Sequence, residues 1–361
     1  GDESILTRLA ELSFAGDPEK AIAHHRALLE LKPDRIQSYR ALRQLLHRRG
    51  DEDAVFCVEA VLDGLGCANE EESYFYAQRR GRLQGQMKGM LTPEDWAVIC
   101  PELAAPPLAV LRAIHPYLHK VFPVDMDSFG ITKPESGEDL QRFRQNAEMV
   151  AKLYEVREFD IARAPSKLGP TVLGGSPVTL LVPKSAFESL PREQLFLCGA
   201  MFGRVNIGGI LGDPLQVYRT NTQQLRYLIW AACELLVTGY TAPGDRNAIY
   251  VDIKNRLGKA LPQRRPQALL DAVNRFAEEE LIIDAAALRS EINRAAVRAG
   301  TLAAVDPSLA ITCLKQNRAM FSDPKAPIDD HGLTPEAWAG PVFAVSATYQ
   351  SIRKRLGMGV R

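Results

Sequence analysis

Two histidines one helical turn apart, His115 and His119, have a spacing that could chelate a metal ion. Pro116 stands between them and the glutamate of an HExxH motif is missing, so the pair is expected at a surface or core edge with no metal. His24 and His25 fall on one helix, His47 lies near a helix end, and no histidine occurs between His119 and His331. Ser351-Ile352-Arg353-Lys354 has the spacing of a serine nucleophile and its lysine base, but the companion Ser-Asp-Asn and Lys-Thr-Gly motifs are absent. Phosphate-binding Gly-x-x-x-x-Gly-Lys, Gly-x-Ser-x-Gly and dinucleotide fingerprints are absent too. Cys57, Cys67, Cys100, Cys198, Cys233 and Cys313 are scattered, without CxxC spacing and mostly in apolar stretches. They predict inert, reduced thiols in a cytoplasmic protein.

Charge narrows the partners. Lys+Arg and Asp+Glu are equal at 44 each, so no net field draws the chain to nucleic acid or an anionic membrane. The basic runs Arg79-Arg80-Gly81-Arg82 and Arg353-Lys354-Arg355 lack interleaved aromatic residues and are expected as solvated helix ends. No apolar run reaches the roughly 18 residues of a spanning helix, so membrane insertion is not expected. Gly1-Asp2-Glu3-Ser4 lacks an initiator Met and the pattern of a signal peptide, and reads as the start of a piece cut from a longer chain.

The elements that would position such residues begin with two similar segments. Asp17-Pro18-Glu19-Lys20-Ala21 opens a helix ending at Leu31-Lys32-Pro33, and Asp51-Glu52-Asp53-Ala54 opens another ending at Leu65-Gly66. Ala21 and Ala54 are 33 positions apart, close to the roughly 34-residue tetratricopeptide period. Each is preceded by a shorter amphipathic helix, with Ile5, Leu6, Leu9 and Leu12 in the first and Tyr39, Leu42, Leu45 and Leu46 in the second. Residues 1–80 therefore read as tetratricopeptide-like helix pairs, with Glu70–Gln78 opening a third. Since about three stacked repeats are needed for stability, two pairs alone imply upstream repeats or packing on the rest of the chain.

A helical linking region is expected over 81–134, with a capping-box start at Thr92-Pro93-Glu94-Asp95 and a proline-rich stretch from Pro101 to Pro134. Residues 135–361 form the last segment. An amphipathic helix over Glu138–Val156 comes first, then short strands at Glu158–Arg163, Thr171–Leu173 and Pro177–Val182, with a turn at Gly174-Gly175-Ser176. A buried helix ending near Val205 follows, then helices near 214–239, 245–260, 264–280, 284–300, 306–321 and 341–357. Gly208-Gly209 with Gly212-Asp213-Pro214 reads as a turn.

The strand Val178-Thr179-Leu180-Leu181-Val182-Pro183, followed by Leu190-Pro191-Arg192-Glu193-Gln194-Leu195 and a helix, resembles the core of M48-type zinc peptidases (zincins). The chain is similar to bacterial tetratricopeptide-repeat proteins whose C-terminal part keeps that scaffold with its metal motif eroded. The resemblance implies a mainly α protein, helical pairs followed by an α+β zincin-like domain with a small sheet. It also locates the lost chemistry. The pentad matching HExxH is Met201-Phe202-Gly203-Arg204-Val205 or, one residue earlier, Ala200-Met201-Phe202-Gly203-Arg204. Neither holds a histidine or carboxylate. The Glu-x-x-Ala-Asp-Arg-x-Gly stretch that would give the third ligand matches Asn293-Arg294-Ala295-Ala296-Val297-Arg298-Ala299-Gly300, with Asn293 for the glutamate and Val297 for the aspartate.

These observations predict a non-catalytic scaffold that binds other proteins, with no cofactor and no metal. Val178 and Leu180 would hold an extended peptide if their strand, or its neighbour, offers a free edge. In a rival reading the chain is an enzyme or sensor whose Arg204, Asn293 and Arg298 converge in the former active cleft on an anionic small molecule. In a third, the chain is a structural subunit of a larger assembly.

Overall fold

The computed structural model describes residues 2–84, 87–123, 125–127, 129–165, 168–175, 177–208, 222–244, 246–279, 282–323 and 325–360. It is mainly helical, with one three-stranded sheet among the described residues. No helix among them is long and apolar enough to cross a membrane. The chain divides into two compact units, one of Gly1–Met90, Leu190–Ala200 and Val297–Arg361, the other of Leu91–Ser189 and Met201–Ala296. This division cuts across the segments 1–80, 81–134 and 135–361.

In the first unit, α1 (Glu3–Gly16), α2 (Pro18–Leu31), α3 (Ile36–Arg48), α4 (Glu52–Leu65) and α5 (Glu70–Arg80) pack each against the next. The second and fourth helices start where their aspartates cap them: Asp17 accepts from the Lys20 N–H and Asp51 from the Ala54 N–H, both at 3.2 Å. Tyr39, Leu42, Leu45 and Leu46 are buried as expected, whereas Ile5, Leu9 and Leu12 of α1 are exposed.

The helix pairs of this unit pack on the end of the chain. Its later helices are α16 (Pro307–Gln316), α17 (Arg318–Phe321), α18 (Ala339–Ala344) and α19 (Ala347–Leu356). Helix α4 packs against α16 and α18, and α2 against α18. Gly64 allows the closest approach, since a Cβ there would stand 2.9 Å from Ser308 Cα. The helix expected at 341–357 breaks before Ser346, whose side chain caps α19 by accepting from Tyr349 N–H at 3.1 Å.

The basic runs are not solvated helix ends throughout. Arg353 is fully buried, and its guanidinium donates Nε to Asp53 Oδ2 at 3.0 Å and Nη2 to Asp53 Oδ1 at 2.9 Å. Its remaining donors meet the Val305 and Met358 carbonyls and the Tyr349 hydroxyl. Arg79 is likewise buried, between Glu52 at 2.9 Å and Glu59 at 2.8 Å. Spacing alone did not reveal these partners, because Asp53 lies 300 residues from Arg353. Lys354, Arg355 and Arg82 are exposed.

In the second unit, α6 (Pro93–Ile99) begins with the expected capping box, Thr92 and Asp95 each bonding the other's backbone N–H. Residues 101–134 do more than link. They carry α7 (Pro106–Ile114) and α8 (Leu118–Val121), which pack against α12 (Thr222–Leu236), α13 (Ala248–Ala260) and α14 (Gln267–Glu278). Two prolines open α7, where a missing N–H costs nothing. Helix α9 (Glu138–Leu153) buries Phe143, Ala147, Val150 and Leu153 on one face.

The strands are β1 (Phe159–Ala164), β2 (Thr171–Leu173) and β3 (Val178–Pro183), in the order β1-β3-β2. β1 runs parallel to β3 with Phe159 opposite Val178, and β2 runs antiparallel with Val172 opposite Leu180. A short helix, α10 (Lys184–Phe187), leads from β3 toward α11 (Pro191–Asn206). Helices α11 and α15 (Ala285–Ala304) contribute residues to both units. The turn at Gly174-Gly175-Ser176 lies partly outside the described residues, and Gly209, Gly212-Asp213-Pro214 and the start of the 214–239 helix wholly so.

Removing one partner of a buried, fully hydrogen-bonded ion pair costs about 3–5 kcal/mol. Arg353→Met is therefore expected to lower the unfolding free energy by about that amount in urea denaturation, while exposed Arg82→Met changes it by less than about 0.5 kcal/mol.

Candidate functional site

The residues read as the remnant of a metal site fall on α11 and α15. The start of α11 follows from local sequence: Pro191 occupies the first turn, and Glu193 reaches back to accept the Leu190 N–H at 2.9 Å. Further along, Met201 and Phe202 are fully buried, and Phe202 meets Phe159 of β1 edge to face at 5.2 Å. Asn206 donates its amide to the Tyr154 carbonyl at the end of α9. Val205 is half-buried.

Arg204 donates Nη2 to Asn293 Oδ1 at 2.9 Å. Burial, with Arg289 adding a like charge, pushes the Arg204 guanidinium down to about 10, so it stays protonated near neutral pH. Asn293 is buried on α15. Of the expected set Arg204, Asn293 and Arg298, the structure brings the first two together. Arg298 is half-buried and belongs to the other unit, five residues and about 140° around α15 from Asn293. Val297 is fully buried in that unit, with its Cγ1 only 3.2 Å from where a Cβ on Gly340 would stand.

These side chains do not fit zinc. A guanidinium is a cation with donors only, and an amide, a thioether and hydrocarbon replace the imidazole, carboxylate or thiolate that zinc requires. Among the described residues no group of three or more His, Cys, Asp or Glu is placed to hold a metal ion.

Val178 and Leu180 do not line a free edge. Both are buried on β3, which is paired on both sides, because β1 and β2 satisfy its two rows of backbone groups. β1 is partly covered beyond that pairing, since Arg163 exchanges backbone hydrogen bonds with Thr132 at 2.8 and 3.1 Å. The three-residue β2 has no second partner strand among the described residues.

One cluster escaped the motif reading. In the first unit the buried Asp306, N-cap of α16, accepts from the Tyr76 hydroxyl at 3.1 Å and lies near Arg80 and Arg192. A cleft of about 620 Å³ opens beside it. Its signals in the sequence were the Asp-Pro helix start and the arginine of Leu190-Pro191-Arg192, neither of which names a partner.

All six cysteines are free thiols, and all but Cys67 are buried. His115 is buried too, and neither its Nε2 nor Nδ1 of His119 meets a hydrogen-bond partner among the described residues. Burial, with a smaller contribution from His119, pushes His115 down to about 4 from the ordinary 6.5. The folded value lies below the unfolded one, so the stabilisation is complete above about pH 6.5 and is lost as pH falls toward 4. At about 1.4 kcal/mol per pH unit the loss approaches 3 kcal/mol. Denaturation of wild type and His115→Leu from pH 7 to 4 is expected to show this loss in wild type and its absence in the variant.

No protein-family model matches this chain, and neither a curated protein nor a solved structure matches it.

Proposed function

We propose that this chain is a non-catalytic protein-binding scaffold, in which tetratricopeptide-like helix pairs are joined to a zincin-like domain without its metal. The observation that carries the reading is the 2.9 Å hydrogen bond between Arg204 and Asn293. In the register Ala200-Met201-Phe202-Gly203-Arg204, Arg204 stands for the second histidine of HExxH, and Asn293 for the glutamate ligand. In a zinc peptidase those two positions meet on the metal; here a hydrogen bond joins them. The contact favours this register over the one ending at Val205, and the cationic arginine supplies the charge that zinc would otherwise bring. The buried free thiols fit a reducing compartment, and we place the protein in the cytoplasm.

Binding surfaces follow from the exposed parts. The outer side of β2 is the place left for strand addition, and the helix pairs offer the second face. Affinity purification of the intact chain from its own cells tests the reading. A partner retained at stoichiometric level, recovered uncleaved, and still bound in the presence of EDTA is the expected result. Cleavage of the partner, or its release by the chelator, would contradict it.

A further inference from the structure

The arginines around Asp306 do not balance. Arg80 Nε lies 3.0 Å and Arg192 Nη1 3.7 Å from the same Asp306 oxygen, Oδ2, so two cations face one carboxylate. That carboxylate is already well supplied. It accepts the Tyr76 hydroxyl at 3.1 Å on both oxygens and the Ser308 N–H at 3.2 Å, and its side chain has no solvent exposure. The arginines, by contrast, keep 45% and 27% of their side-chain surface exposed, so it is they that face the opening. Arg192 donates no hydrogen bond to any described residue, although burial disfavours its charge. A half-buried guanidinium with five donors, none of them hydrogen-bonded to a described residue, is an incomplete arrangement.

The opening they face is the cleft of about 620 Å³ lined by Tyr76, Ala77, Arg80, Gly81, Leu190, Pro191, Arg192 and Leu309. Such a volume is within the range of small-ligand pockets. Its other walls are apolar, and Leu190 is 59% exposed at its edge. We propose that this cleft binds a monocarboxylate attached to an apolar group, with Arg192 and Arg80 gripping the carboxylate and Leu190, Pro191 and Leu309 covering the apolar part. The charge count selects a monoanion: two arginines and Asp306 leave one positive charge to be met. The planar guanidinium fork matches a carboxylate in two-point geometry. The carboxylate is either the free C-terminus of a polypeptide or a small carboxylic acid. The site uses none of the residues matched to the metal ligands or the catalytic base of a peptidase, so it stands or falls independently of the scaffold reading.

Calorimetric titration of the full chain with three probes tests it: N-acetyl-leucine, the peptide acetyl-Ala-Ala-Ala-Leu with a free C-terminus, and the same peptide amidated. At least one free acid is expected to bind one per chain, with the amide at least tenfold weaker. Preference for the peptide acid identifies a polypeptide terminus, and equal binding of both acids identifies a small acid. Arg192→Gln, which removes no hydrogen bond between described residues, should weaken binding at least tenfold, while Arg82→Gln leaves it unchanged. The inference is overturned if neither acid binds at millimolar concentration, or if acid and amide bind equally to the wild-type chain. Unchanged affinity in Arg192→Gln would overturn it as well.

Discussion

Two glycines set how closely the first part of α11 and the last part of α15 approach within the first unit, and the packing there depends on that contact. A Cβ on Gly199 would stand 2.5 Å from Ala303 Cβ, 3.0 Å from the Ala299 carbonyl oxygen and 3.2 Å from Gly300 Cα. A Cβ on Gly300 would meet the Phe196 ring at 2.9 Å and its carbonyl at 3.1 Å. Distances of this kind leave no space for a side chain on either helix, and backbone cannot yield as a flexible side chain can. Phe196 continues the packing with an edge-to-face contact to Phe321 at 5.7 Å. Five residues after Gly199, and seven before Gly300, the same helices carry Arg204 and Asn293, joined by their hydrogen bond.

Buried charge is the second organising feature. Arg353 meets an acceptor with each of its donors, and it also lies over the rings of Phe56 and Tyr349 at 5.7 and 5.3 Å. Glu59 is fully buried between Arg43 at 2.9 Å and Arg79 at 2.8 Å. Burial of such groups is tolerated because their donors and acceptors meet charged or polar partners. The carboxylate of Asp306 belongs to the same pattern, but there the arginines outnumber their acceptor.

The secondary structure was legible wherever one local signal decided it. Aspartate caps announced α2 and α4, the Thr92–Asp95 box announced α6, and the strands appeared within one residue of where alternation placed them. Long-range organisation was not legible. Leu190–Ala200 and Val297–Arg361 join the unit of the N-terminal helices, and nothing in their local composition signals it. Nor did the strand sequence Val178–Val182 reveal that its strand is central, since an apolar run fits both a buried strand and a gripping edge. For the candidate site, the resemblance to zinc peptidases pointed to Arg204 and Asn293, but nothing in the sequence could give Arg80, Arg192 and Asp306, which meet from three separate stretches of chain.

We propose that Arg204 and Asn293 meet by a side-chain hydrogen bond where a zinc peptidase would hold its metal. The most direct measurement is the metal content of natively purified protein by inductively coupled plasma mass spectrometry, before and after incubation with zinc and desalting. Far less than one equivalent of zinc per chain in both samples is the predicted result. One tightly held equivalent, lost in Asn293→Ala, would contradict it.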